Sequence, residues 1–95
     1  MNDSKLVNNP EWAAVVKGLI RSEMTLRNVT YKQMSARLNS EFGTQQSARN
    51  LNSKINKGVL GAQLFLQILI VLDANSLDLR KTLNLYHESI KKQSF

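Results

Sequence analysis

The stretch from Val29 to Gly58, V-T-Y-K-Q-M-S-A-R-L-N-S-E-F-G-T-Q-Q-S-A-R-N-L-N-S-K-I-N-K-G, constrains this chain most. Thr30 followed three residues later by Gln33 is a capping box, which starts a helix at Tyr31. Gly43 and Gly58 supply the left-handed backbone that ends helices, and Thr44 offers an N-cap between them. The pattern predicts two short helices joined by a glycine turn, the second spanning about 44–57. Tyr31, Met34, Leu38 and Phe42 form the apolar face of the first, with the small Ser35 beside them. Ala48, Leu51 and Ile55 form that of the second.

Upstream, Asn9, Pro10 and Glu11 combine a capping side chain, a proline at its tolerated first-turn position and an acid at the positive end of the helix dipole. Trp12, Val15, Val16, Leu19, Ile20 and Met24 then mark the buried face of a helix that ends near Asn28. Downstream, Ala62 to Leu72 is apolar nearly all round, as expected of a core helix enclosed by the others. Asp73, Ala74 and Asn75 break it, and Ser76 or Asp78 caps a fifth helix. In that helix Leu79, Leu83, Tyr86 and Ile90 recur at 4-3-4 spacing, a narrow stripe suited either to core packing or to a dimer seam. With one proline, four glycines and no alternating β-branched strand pattern, the expected fold is all-α with five helices. A chain of 95 residues supports one modest core, placed at 9–90 between a loose N-terminal tail (1–8) and a frayed end (91–95).

Composition narrows the function. The chain has no cysteine, so disulfides and thiol chemistry are excluded, in keeping with a reducing cytoplasm. The N-terminus lacks the apolar run of a secretion signal, and Leu64 to Leu72, interrupted by Gln67, is far short of the roughly 20 apolar residues of a membrane span. His87 is the single histidine, without a companion metal ligand at helical spacing, and the carboxylates are scattered. No phosphate-cradling glycine loop and no nucleophile beside a histidine is present. No enzyme activity, cofactor, metal or small-molecule ligand is expected.

Charge points elsewhere. Between Lys17 and Lys57 lie eight basic residues (Lys17, Arg21, Arg27, Lys32, Arg37, Arg49, Lys54, Lys57) and two acids (Glu23, Glu41), an excess equal to the formal net charge of +6 of the whole chain. Such a localised field attracts a polyanion. On a wheel of about 100° per residue with Ala48 at the origin, Leu51, Asn52 and Ile55 fall within about 60° and face inward. Gln46, Asn50, Ser53 and Lys57 lie opposite, flanked by Arg49 and Lys54. Asparagine and glutamine pair with adenine edges, arginine with guanine, and lysine with phosphate. Gln46, Arg49, Asn50 and Ser53 are therefore candidates for base contacts, Asn50 being equally suited to a structural role near the loop. Thr30, Tyr31, Lys32 and Gln33, around the open N-terminus of the preceding helix, are candidates for phosphate contacts together with Lys54 and Lys57. Asn52, turned inward, is expected to be hydrogen-bonded within the protein.

Residues 29–72 resemble the lambda-repressor-like, Cro-type (Xre) helix-turn-helix, in which T-Q-x-x-L-A-x-x-L precedes a turn and a recognition helix ending I-S-x-I-E-x-G. Thr30, Met34, Ser35 and Leu38 fall on the first pattern, and Ser53, Ile55 and Gly58 on the second. Tyr31, Asn52 and Asn56 depart from it, and the turn is about three residues longer. A closer resemblance, through V-T-Y-K-Q-M-S-A-R-L (29–38), N-L-N-S-K-I-N-K-G (50–58) and F-L-Q-I-L (65–69), is to an uncharacterised bacterial domain-of-unknown-function family related to that fold, which implies that the longer turn is a family feature. The resemblance implies a double-stranded-DNA-binding transcriptional regulator of bacterial or phage type, cytoplasmic and nucleoid-associated. Because one recognition helix reads few base pairs, a homodimer on a two-fold site is expected, with the fifth-helix stripe Leu79, Leu83, Tyr86 and Ile90 as its seam. The alternative is a non-catalytic protein-interaction module, antirepressor- or antitoxin-like, that retains the fold.

Overall fold

The computed structural model describes residues 9–74 and 78–92. These form five helices and no strand: α1 (Pro10–Arg27), α2 (Tyr31–Phe42), α3 (Ala48–Lys57), α4 (Ala62–Val71) and α5 (Leu79–Lys92). The tail 1–8, residues 93–95 and the proposed cap Ser76 lie outside the described residues, as does Asn75. The last helix runs through Lys92, so residues 91 and 92 belong to it.

The helix ends follow local chemistry. Asn9 accepts hydrogen bonds from the Glu11 and Trp12 N–H groups, satisfying two of the donors that a helix start leaves open. Thr30 and Gln33 form the reciprocal capping box, at 3.1 and 2.9 Å. Asn28 (φ 55°), Gly43 (φ 68°) and Gly58 (φ 67°) all adopt the left-handed conformation. Asp73 does so after α4, and the Asp78 carboxylate caps α5 through the Lys81 N–H at 3.0 Å.

Packing is organised around α1, which meets α3 on one side and α5 on the other, while α2 packs on α3 and α4. The core joins Ile20 and Met24 of α1, Val29, Met34 and Leu38 of the α2 region, Leu51 and Ile55 of α3, and Ile68, Val71 and Leu72 of α4. Two arginines tie the end of α4 to this frame. Arg37 donates to the Val71 carbonyl at 3.1 Å, and Arg27, paired with Glu23, donates to the Asp73 carbonyl at 3.2 Å. Cations there oppose the negative end of the α4 dipole.

The expected boundaries and faces differ from the structure in four places. The third helix starts at Ala48 with Ser47 as its cap, three residues later than Thr44 predicted. After Gly43, the Thr44 N–H completes the α2 terminus by donating to the Leu38 carbonyl, and its hydroxyl turns to Gln67 at 2.7 Å, so neither group serves α3. Helix α4 is not enclosed: Leu66 and Ile70, on the side away from Ile68, are 58% and 57% exposed. Phe42 and Trp12, expected on buried faces, are 42% and 40% exposed and lie outside the buried core cluster. Finally, the α5 stripe does not pack on the core. Leu85 lies over Gly18, Tyr86 stacks on Trp12 with ring centroids 4.5 Å apart, and Leu79, Leu83 and Ile90 are exposed.

Candidate nucleic-acid interface

Helix α3 is fixed at both ends and along its inner face. The Ser47 hydroxyl accepts the Asn50 N–H at 3.0 Å, Leu51 and Ile55 are fully buried, and Gly58 abuts the backbone of α1 at Ala13. The opposite surface exposes Arg49, Asn50, Asn52, Ser53, Asn56 and Lys57, and Lys54 is half-buried at its edge. The helix carries no carboxylate. Taking the midpoint of Leu51 and Ile55 as inward, Ser53 lies about 180° away, with Arg49 and Asn56 on one flank and Asn50 and Lys57 on the other.

Asn52 was placed inward by the wheel, and the structure corrects this. Its side chain is exposed and its Oδ1 accepts a hydrogen bond from Asn56 Nδ2 at 2.7 Å. The error came from centring the wheel on Ala48, which is only half-buried; measured from Leu51 and Ile55, Asn52 is about 80° off axis and clears the core. Asn52 and Asn56 therefore join the polar face as an amide pair that sequence reasoning missed. Their spacing of four residues was the signal.

Gln46 stands differently. It precedes α3, is half-buried, and its carbonyl accepts a hydrogen bond from Ser35. Its side-chain Oε1 is buried without a hydrogen-bond partner. It does not share the outward face with Arg49, Asn50 and Ser53. Instead it lines a cleft of about 540 Å³ with Thr44, Lys54, Gln67 and the start of α4.

The four residues at the start of α2 divide in the same way. Thr30 and Gln33 satisfy each other in the capping box, leaving the Tyr31 and Lys32 N–H groups as the donors that the box does not take. Lys32 is exposed, but Tyr31 packs against the core, and its hydroxyl is buried and unpartnered. Of the eight cations between Lys17 and Lys57, Arg27 and Arg37 are committed to Glu23 and to α4 carbonyls. The other six are Lys17, Arg21, Lys32, Arg49, Lys54 and Lys57, none in an ion pair among the described residues.

Outside this region, His87 is exposed and meets the edge of Tyr86 at 5.9 Å between ring centroids. No single helix among the described residues is long and apolar enough to cross a membrane.

The sequence profile of a domain of unknown function, DUF6471, matches residues 12–77. The chain belongs to the DUF6471 family. The matched segment runs from Trp12 in α1 through α4 and stops short of α5, so it contains the α2–α3 pair and the polar face of α3. Membership in DUF6471 agrees with the resemblance of 29–69 to an uncharacterised domain family; it carries no function of its own. No curated protein and no solved structure matches the chain.

Proposed function

We propose that this DUF6471 domain is a sequence-specific double-stranded-DNA-binding protein, a cytoplasmic, nucleoid-associated transcriptional regulator of lambda-repressor-like (Cro/Xre-type) helix-turn-helix architecture. The observation that carries this is the outward face of α3, on which an arginine, three asparagines, a serine and a lysine are exposed on a helix without a carboxylate. An exposed helix serving solubility alone more often mixes glutamate with lysine in i, i+4 pairs. The α3 face would lie in the major groove. There Arg49, Asn50 and Ser53 reach base edges, Lys54 and Lys57 reach phosphates, and the α2 N-terminus with Lys32 straddles the backbone. The chemistry is recognition, with no catalytic role for His87 or the carboxylates.

Titration of random-sequence duplex DNA at two salt concentrations tests this. Wild type is expected to bind with a steep salt dependence, Arg49→Ala and Lys57→Ala each to weaken binding by about tenfold, and Arg49→Ala to change the sequence recovered by selection. Absence of binding at low salt would overturn the proposal.

Homodimerisation belongs to the same proposal, with α5 as the seam. Leu79, 70% exposed, and Leu83 share the α5 stripe with Tyr86, and a second copy would cover them. Leu83→Lys is expected to lower the mass measured in solution from dimer to monomer while the helical circular-dichroism signal is kept; an unchanged mass counts against this seam. The same exposed residues favour the second reading, in which α5 docks a different protein in an antirepressor- or antitoxin-like role. That reading predicts a monomer in wild type and Leu83→Lys alike and no salt-dependent DNA binding.

A further inference from the structure

The α3 face and the start of α2 leave two of the six unpaired cations, Lys17 and Arg21 of α1, without a part. Arg21 has a distinctive position. With Met24, Thr25, Asn28, Val29 and Tyr31 it lines a surface cleft of about 320 Å³ where the end of α1 meets the start of α2. Three of its residues carry side-chain donors and are exposed, Arg21, Thr25 and Asn28, and Tyr31, whose hydroxyl is buried without a partner, also lines it. No carboxylate lines it. The nearest acid along the helix, Glu23, is turned to Arg27.

Lys17 lines only a second groove, where Arg21, Leu85 and Glu88 also stand, so the one groove open to Lys17 holds a carboxylate. Arg21 lines both grooves and is the cation of α1 that also opens onto the carboxylate-free one, which Tyr31 at the start of α2 helps to line.

We propose that this cleft is a binding site for a backbone phosphate of duplex DNA, held by Arg21 with Thr25 and Asn28, which extends the DNA-contacting surface from α2 onto α1. The inference rests on the DNA-binding function proposed above. A planar guanidinium suits a phosphate through two parallel N–H···O bonds, and the asparagine and hydroxyl add neutral donors. A phosphate contact fixes register and carries no sequence information of its own. Arg21 therefore contributes to affinity for every sequence equally, whereas Arg49 contributes to the choice among them.

Affinity for one duplex, measured across a series of salt concentrations for wild type, Arg21→Gln, Arg21→Lys and Arg80→Gln, tests the site. Arg80 is an exposed cation on α5, outside the cleft, and reports the effect of net charge alone. Arg21→Gln is expected to reduce the slope of log K against log salt by about 0.9 and to weaken binding about tenfold at low salt, equally for preferred and random duplexes. Arg21→Lys should restore most of the slope, Arg80→Gln should leave it near wild type, and thermal melts of all three should coincide. A wild-type slope in Arg21→Gln overturns the phosphate site while DNA binding by α3 stands. Equal losses in Arg21→Gln and Arg80→Gln also overturn it, since they report a diffuse field. A wild type that binds no DNA at low salt overturns the DNA-binding function itself and the site with it.

Discussion

Replacing Gly58 by alanine is expected to destabilise the domain more than the same change at Gly18, Gly43 or Gly61. The Cβ of an alanine there would sit 2.3 Å from the Ala13 carbonyl oxygen and 2.5 Å from its Cα, and both are backbone atoms that no rotamer change can move aside. Gly58 also has φ +67°, where an L-residue is strained even in open space. The conformational cost is about 1 kcal/mol and the overpacking about 1–3 kcal/mol more, so a total of about 3 kcal/mol is expected. For a domain of this size that corresponds to a fall of about 15 °C in melting temperature. Gly43→Ala is the control, because Gly43 has nearly the same φ (+68°) and nothing within 4 Å of the added carbon. It should lose only the conformational part, about 1 kcal/mol. Equal shifts in the two variants, read by thermal or urea denaturation, would show that the contact between α3 and α1 is not tight. Under the DNA-binding function proposed above, that contact would also set the angle at which the end of α3, including Lys57, meets the duplex.

Gly58 shows what the sequence could and could not convey. That a glycine after I-N-K ends the helix is a matter of local backbone sterics, and it was legible, as were Asn9, Asn28, the Thr30–Gln33 box and Gly43. That the same glycine is pressed against Ala13, 45 residues earlier, depends on how α1 and α3 cross, which no local pattern encodes. The start of α3 failed for a related reason. T-Q-Q-S offers two hydroxyl caps, and the choice of Ser47 over Thr44 follows from a tertiary hydrogen bond between Thr44 and Gln67. The faces of α4 and α5 were misjudged because hydrophobicity alone does not say how many neighbours a helix has. Ala62 to Leu72 is apolar all round, yet among the described elements α4 packs chiefly on α2 and the core, leaving Leu66 and Ile70 uncovered. In α5 the 4-3-4 stripe suggested one buried seam, whereas of its residues Tyr86 stacks on Trp12 of α1 and Leu85, off that stripe, lies over Gly18.

The candidate interface was legible where helical periodicity decides exposure. Arg49, Asn50, Ser53 and Lys57 are all exposed, because Leu51 and Ile55 fix the inner side of a ten-residue helix and little else competes. It was illegible where the boundary or the axis mattered. Gln46 shared the face only while α3 was extended back to residue 44, and Asn52 left it only while Ala48 counted as much as the two buried aliphatics. The charge count needed the fold too. Arg27 stands four residues after Glu23, a pairing that helical spacing allows, but only the carbonyls of Val71 and Asp73 reveal that Arg27 and Arg37 brace the end of α4.

Ser53→Glu puts that face to the most demanding test. Ser53 lies opposite the buried side of α3, exposed and free of any role in the core or the caps. A glutamate there is compatible with the helix, and Lys57 one turn later would pair with it for about 0.2–0.5 kcal/mol, so the melting temperature should hold or rise slightly. In the major groove the same carboxylate would meet phosphates and base acceptors and would also draw the Lys57 ammonium away from its phosphate. Like charges brought together across an interface cost several kcal/mol, so affinity for duplex DNA is expected to fall at least about 100-fold. Electrophoretic mobility shift or fluorescence anisotropy with the wild-type target measures this, beside a melt that confirms the fold. Binding that survives Ser53→Glu would mean that α3 does not enter the groove, even if the protein binds DNA by other means. If solution mass is unchanged in Ser53→Glu and falls in Leu83→Lys, recognition and pairing lie on separate surfaces, as a two-fold reader requires.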